Sequence, residues 1–172
     1  MTSYATYPEP AGGPVDTRDL LARYLDYYRD TVLRKLDGMS EEELRTSRLP
    51  SGWAPVELVE HLAFVERRWF RWGYLGEDVD PVWGEEHPET GRWHVPASAT
   101  VADVRDRFVS ECARSREVVA AAGLHEPART GGRFTEEAPE LVWILLHVLQ
   151  EYARHMGQLD VVRELADGAV GE

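Results

Sequence analysis

The chain has 172 residues, 43% hydrophobic and 29% charged, and its 31 acidic against 19 basic residues leave a formal net charge of -12. That length predicts one domain able to bury a core without staples, and the single cysteine, Cys112, excludes an internal disulfide and a multi-cysteine zinc site. The acidic balance argues against nucleic-acid binding, which needs a positive field, and against anionic membranes; with no apolar run near the ~20 residues of a membrane span and no secretory leader, a soluble, cytoplasmic protein is expected.

Residues 1–15 carry Pro, Gly and Tyr without a period and read as a flexible arm, ahead of a single domain over 16–168 and a short tail over 169–172. Leu20, Leu21, Tyr24, Tyr27, Tyr28, Val32 and Leu36 recur at three- and four-residue spacing, which predicts a first helix over 17–36 stopped by Asp37-Gly38. Ser40 with Glu43 has the form of a capping box and opens a short helical turn through Arg45. Pro55 suits the first position of a second long helix over 55–73, with Leu58, Val65, Trp69 and Trp72 on one face. Breaks at Asp80-Pro81, His87-Pro88, Thr90-Gly91 and Val95-Pro96 make residues 74–98 a long connection. A third long helix is expected over 101–122, turning Val104, Phe108 and Cys112 to the core, and a last one over 139–166, ending at Gly168. No strand is expected. Four long amphipathic helices in one small domain imply an all-α four-helix bundle. The 74–98 connection is long enough to run the bundle's length, so the second and third long helices could be parallel.

The last helix carries HVLQEYARHMGQ over 147–158. Residues four apart on a helix differ by only ~40°, so His147, Glu151 and His155 stack on one face, within or at the edge of the surface that should meet the core. Gln150, Arg154 and Asp160 fall on a polar arc elsewhere. A carboxylate aimed into a core needs an arginine, a hydrogen-bonded histidine or a metal beside it, because an unpaired ion is costly to desolvate. On the second long helix His61 also faces inward, near Leu58, Val65 and Trp72. Two inward histidines and a carboxylate suit zinc, and also nickel, manganese or iron, and three protein ligands leave coordination positions for water or substrate. Spacing alone leaves open which two of His147, Glu151 and His155 bind. The zincin H-E-x-x-H motif is absent, since Leu62 follows His61.

Other residues frame a pocket. Arg68, two turns beyond His61, could meet an anionic substrate group or pair with a carboxylate, and Trp72 is a further pocket candidate, while Arg67 and Arg71 read as solvated. Trp83 and Trp93 either roof an electrophile pocket or staple the long connection to the bundle, and His87 and His94 read as surface residues. Cys112 lies in an apolar register and reads as an inert buried thiol. No serine-nucleophile elbow or phosphate-cradling glycine loop occurs.

Glu60-His61-Leu62 and the run Glu151-x3-His155-Met156-Gly157-Gln158 resemble the DinB-like superfamily of four-helix metalloproteins, with a match over about residues 17–168. Many members carry H-x3-H-x-G-Q in the last helix; Glu151 in place of the first histidine is similar to the branch of mycothiol-dependent maleylpyruvate isomerase and the mycothiol S-transferases, whose ligands are His, Glu and His. The resemblance implies His61, Glu151 and His155 as metal ligands, His147 as a neighbouring pocket residue, and an up-down-down-up bundle. It further implies a divalent metal, zinc foremost, that activates a low-molecular-weight thiol, mycothiol, for S-conjugation to a small electrophile. A metal-dependent hydrolase and a non-catalytic binding bundle are the alternatives, and a homodimer is left open. Lys35 is the only lysine beside eighteen arginines, a bias compatible with a GC-rich, mycothiol-making source.

Overall fold

The computed structural model describes residues 9, 10, 13 and 16–170, so most of the expected arm over 1–15 and the last two residues of the tail lie outside the described residues. The described residues are all-helical: α1 (Thr17–Leu36), α2 (Glu41–Arg45), α3 (Pro55–Glu66), continued by a π-helical segment (Arg67–Tyr74), α4 (Val101–Ala121) and α5 (Leu141–Asp167). Extended pairing among them is confined to the isolated bridges Glu86–Trp93 and Pro127–Glu140.

Local chemistry sets the helix ends. Asp16 caps α1 by accepting from the Arg18 N–H, and Ser40 and Glu43 form a reciprocal capping box at α2. Pro55 occupies the first turn of α3, where a missing N–H costs nothing, and Glu57 accepts from the Ala54 N–H at 2.8 Å. Thr100 and Asp103 cap α4. Gly168 ends α5 with φ 73°, a left-handed conformation that glycine adopts without steric cost.

The second long helix departs from the expected single α-helix. From Arg67 its hydrogen bonds span five residues instead of four, so each turn holds more residues and the phase drifts away from an α-helical wheel. Trp69 still faces the core, but Trp72 turns towards Arg133 and the backbone at Gly132. Gly132 is required there, since a Cβ would stand 2.2 Å from the Trp72 carbonyl oxygen. Arg67 and Arg71, expected in solvent, both pair with Glu111 of α4.

The helices pack α1 against α5 and α3 against α4. Along α1 and α5 the contacts advance together: Tyr28 stacks on Tyr152, and further on Lys35 pairs with Asp160. They also advance together along α3 and α4, from Glu60–Arg107 to Glu66–Cys112. Between α3 and α5 they run in opposite order, His61 meeting His155 and Glu66 meeting Tyr152.

A buried ionic cluster lies where these four helices meet. Arg29 donates from Nε and Nη2 to both oxygens of Glu66 (2.8 and 2.9 Å), and the Tyr152 hydroxyl donates to Glu66 Oε1 at 2.6 Å. Cys112 Sγ approaches the same carboxylate at 3.8 Å, and all four residues are buried. The register of α4 does bury the thiol, and burial, then the Glu66 charge, pushes the Cys112 pKa far above its ordinary range. The folded protein keeps this proton where the unfolded chain loses it, so the thiol's contribution to stability declines as pH rises past about 8.5. Iodoacetamide at pH ~9 is expected to leave Cys112 unmodified in the native protein and to alkylate it in urea, as read by intact mass; rapid labelling of native protein would contradict this placement.

The long connection folds back onto α3. The His87 N–H donates to the Arg92 carbonyl (2.8 Å) and the His94 N–H to the Glu85 carbonyl (2.7 Å), a tight turn that bridges Glu86 to Trp93 and pairs the backbone of Glu85 with that of His94. Gly84 permits the close approach, because a Cβ there would lie 2.5 Å from Phe64 Cζ.

Candidate metal centre

His61, Glu151 and His155 each present one donor atom, and the three atoms lie within 4.8 Å of one another. Glu151 and His155 stand one turn apart on α5, and the opposite run of α3 sets the His61 ring 5.0 Å from that of His155. Both imidazoles are held from behind. His61 Nδ1 lies 3.3 Å from Glu85 Oε1, and His155 Nδ1 lies 2.8 Å from Gln158 Oε1. A carboxylate or amide oxygen only accepts, so each Nδ1 carries a proton there, which leaves Nε2 as the atom of each ring able to ligate an ion. His155 Nε2 sits 3.2 Å from Glu151 Oε2.

This donor set fits a divalent ion of the zinc type: two imidazole nitrogens, one carboxylate oxygen, and an outer oxygen fixing each histidine. The electrostatics agree. Burial lowers the His61 pKa, against the opposing pull of Glu85, and keeps the ring neutral. The hydrogen bond with His155 holds the Glu151 carboxyl below the usual range and keeps it ionised. Burial raises the Glu85 pKa, but its bonds to His61 and Arg68 outweigh that and leave it low.

The trio lines a cavity of about 460 Å³ together with Trp53, Trp93 and Gln158. Trp93 stacks on His61 (centroids 4.1 Å apart, planes 21°) and meets His155 edge-on at 5.4 Å. It both staples the connection and lines the cavity. Trp83 is a staple only: half-exposed, its ring lies against the Arg68 guanidinium of the second long helix at 4.0 Å, and it is absent from the cavity lining. Arg68 is buried and pairs with Glu85 Oε1 at 2.5 Å, so of its two expected partners the structure gives it the carboxylate. Trp72 is likewise absent from the lining, a consequence of the π-helical phase drift. His147 packs between Trp69 (4.1 Å) and Trp143 (5.4 Å), with Nε2 3.4 Å from Glu151 Oε1, on the other side of Glu151 from His155. His87 and His94 contact each other and not the cavity.

Sequence reasoning did not find Glu85, Trp53 or Arg92, which sit on irregular segments without a period. It gave Gln158 no role, although its three-residue spacing from His155 carried the signal. Arg154 falls on the polar arc of α5, yet its long side chain reaches the cavity rim from the exposed side of the helix. No helix among the described residues is long and apolar enough to cross a membrane. A family model described as mycothiol-S-transferase matches residues 20–168. No curated protein matches the chain.

Proposed function

The chain belongs to the mycothiol-S-transferase family, and from that premise we propose that it joins mycothiol to a small electrophile with the help of a divalent ion, zinc foremost, held by His61, Glu151 and His155. The observation that carries this reading is the convergence of three donor atoms from two helices on one wall of a cavity. When bound, the ion supplies a positive charge that lowers the pKa of a coordinating thiol. In the overall reaction the thiol sulfur bonds to the electrophilic carbon, any leaving group departs with its bonding pair, and the thiol proton passes to solvent. Glu85 and Gln158 orient the two imidazoles, and Arg68 offsets the buried charge of Glu85. The indoles of Trp53 and Trp93 give the cavity apolar faces that displace water from the reacting groups.

The scaffold in this reading is a four-helix bundle of α1, α3, α4 and α5 in up-down-down-up order, forming one domain over 16–168. The shared direction of the α1–α5 and α3–α4 contacts, and the opposed direction of the α3–α5 contacts, support that order. A reduced, buried Cys112 suits a cytoplasmic setting, where low-molecular-weight thiols are also kept reduced.

Zinc-loaded protein mixed with mycothiol and monochlorobimane is expected to form the fluorescent conjugate well above the protein-free rate, to stop on chelation and to resume on zinc addition. Absence of any thiol-dependent conjugate would remove the transferase reading. The outer oxygens can be tested separately. Glu85→Gln is expected to weaken zinc binding by roughly tenfold to a hundredfold, measured by competition with a chromophoric chelator. An unchanged affinity would show that Glu85 does not support His61.

A further inference from the structure

The cavity lining reverses the charge of the chain around it. The protein carries a formal charge of -12, and its arginines are heavily engaged: Arg68, Arg71, Arg107, Arg116 and Arg163 each hold a carboxylate. Arg92, on the turn of the long connection, and Arg154, on α5, both line the cavity. Among the described residues neither guanidinium has a hydrogen-bond or ion-pair partner. The carboxylate that shares the lining, Glu151, is engaged by His155 and His147. Two cations kept free of the abundant acids, in the same cavity, are left to a ligand. A guanidinium only donates, and its planar fork matches a carboxylate with two parallel hydrogen bonds. The same cavity is lined by the indoles of Trp53 and Trp93, tilted 57° with centroids 6.1 Å apart, which offer flat apolar surface.

We infer that the electrophile is a planar, conjugated molecule bearing a carboxylate, its anionic end held by Arg92 and Arg154 and its body against Trp53 and Trp93. This rests on the transferase reading and adds the substrate class. Arg68, the arginine that the sequence offered for this task, is occupied by Glu85. Arg92 and Arg154 lie at the exposed rim, so the carboxylate would remain near solvent while the reactive carbon points towards His61 and His155. Recognition of the thiol by these arginines is the competing assignment, and the two differ in which substrate an anion displaces.

Benzoate and its neutral isostere benzamide serve as probes in the mycothiol–monochlorobimane assay. Benzoate is expected to inhibit about tenfold more strongly than benzamide, competitively with the bimane and not with the thiol. Its advantage should shrink with added salt, and in R92Q/R154Q it should fall to about twofold or less, with the helical circular dichroism of the exposed-site variant unchanged. Equal inhibition by the two probes, competition of benzoate with the thiol, or an advantage that survives R92Q/R154Q would each overturn the inference. Loss of the bimane reaction itself is a separate outcome and would count against the transferase reading.

Discussion

Replacing His155 with alanine is expected to lower zinc affinity by more than roughly a hundredfold and to abolish conjugation. Loss of an outer hydrogen-bond partner typically costs tenfold to a hundredfold, and in the proposed site His155 is itself a ligand, with Nδ1 2.8 Å from Gln158 and Nε2 3.2 Å from Glu151. The remaining pair, His61 and Glu151, leaves one imidazole and one carboxylate, too few to hold the ion against water. A second readout separates this from simple misfolding. An ion that binds only the folded state stabilises it by mass action, so chelation should lower the melting temperature of the wild-type protein and leave that of the variant unmoved. A variant that retained stoichiometric zinc, or that still melted lower after chelation, would show that the ligands lie elsewhere.

Glu66→Ala is expected to cost about 3–5 kcal/mol of stability. The substitution leaves the Arg29 guanidinium facing an emptied site in the core and removes the acceptor of the Tyr152 hydroxyl. Asp26, at 2.9 Å from Arg29, holds the outer edge of the guanidinium but cannot reach the vacated interior, being half exposed itself. A domain of this size typically has ~5–15 kcal/mol in all, so the melting temperature should fall by roughly 10 °C or more. The double replacement Arg29→Met with Glu66→Leu should recover much of the loss, because it removes both charges rather than stranding one. Urea unfolding of the three proteins decides the matter; a single variant within ~1 kcal/mol of wild type would show that the cluster is not a buried ion pair in solution. Tyr152 follows Glu151 directly on α5, so the cluster also fixes the rotation that aims Glu151 and His155.

Much of this arrangement could be read from regular spacing. The four-residue interval from Glu151 to His155 needs only a continuous α-helix to bring both side chains to one face, and α5 is one. His61 sits in the regular part of its helix, before Arg67, so its inward phase was legible too. Beyond Glu66 the π-helical register breaks the rule that made His61 predictable, and Trp72 is misplaced for that reason. Glu85 could not be found in the same way: it depends on a turn between residues 86 and 93 and on a glycine at 84 that lets the chain press onto Phe64. The Arg29–Glu66 pair was hidden by another assumption, that a core stripe is apolar. Arg29 falls in line with the buried Leu25, Val32 and Leu36 of α1, a register in which only the chemistry of Glu66 across the core makes an arginine tolerable.

In the proposed function α3 and α5 together hold one divalent ion. Diffraction from crystals grown with zinc, collected on either side of the zinc absorption edge, measures this directly. The expected result is a single strong anomalous peak bounded by His61 Nε2, His155 Nε2 and a Glu151 oxygen, at ~2.0–2.2 Å from each. A cavity without a peak, or a peak bound by other side chains while these three remain as they stand, would contradict it.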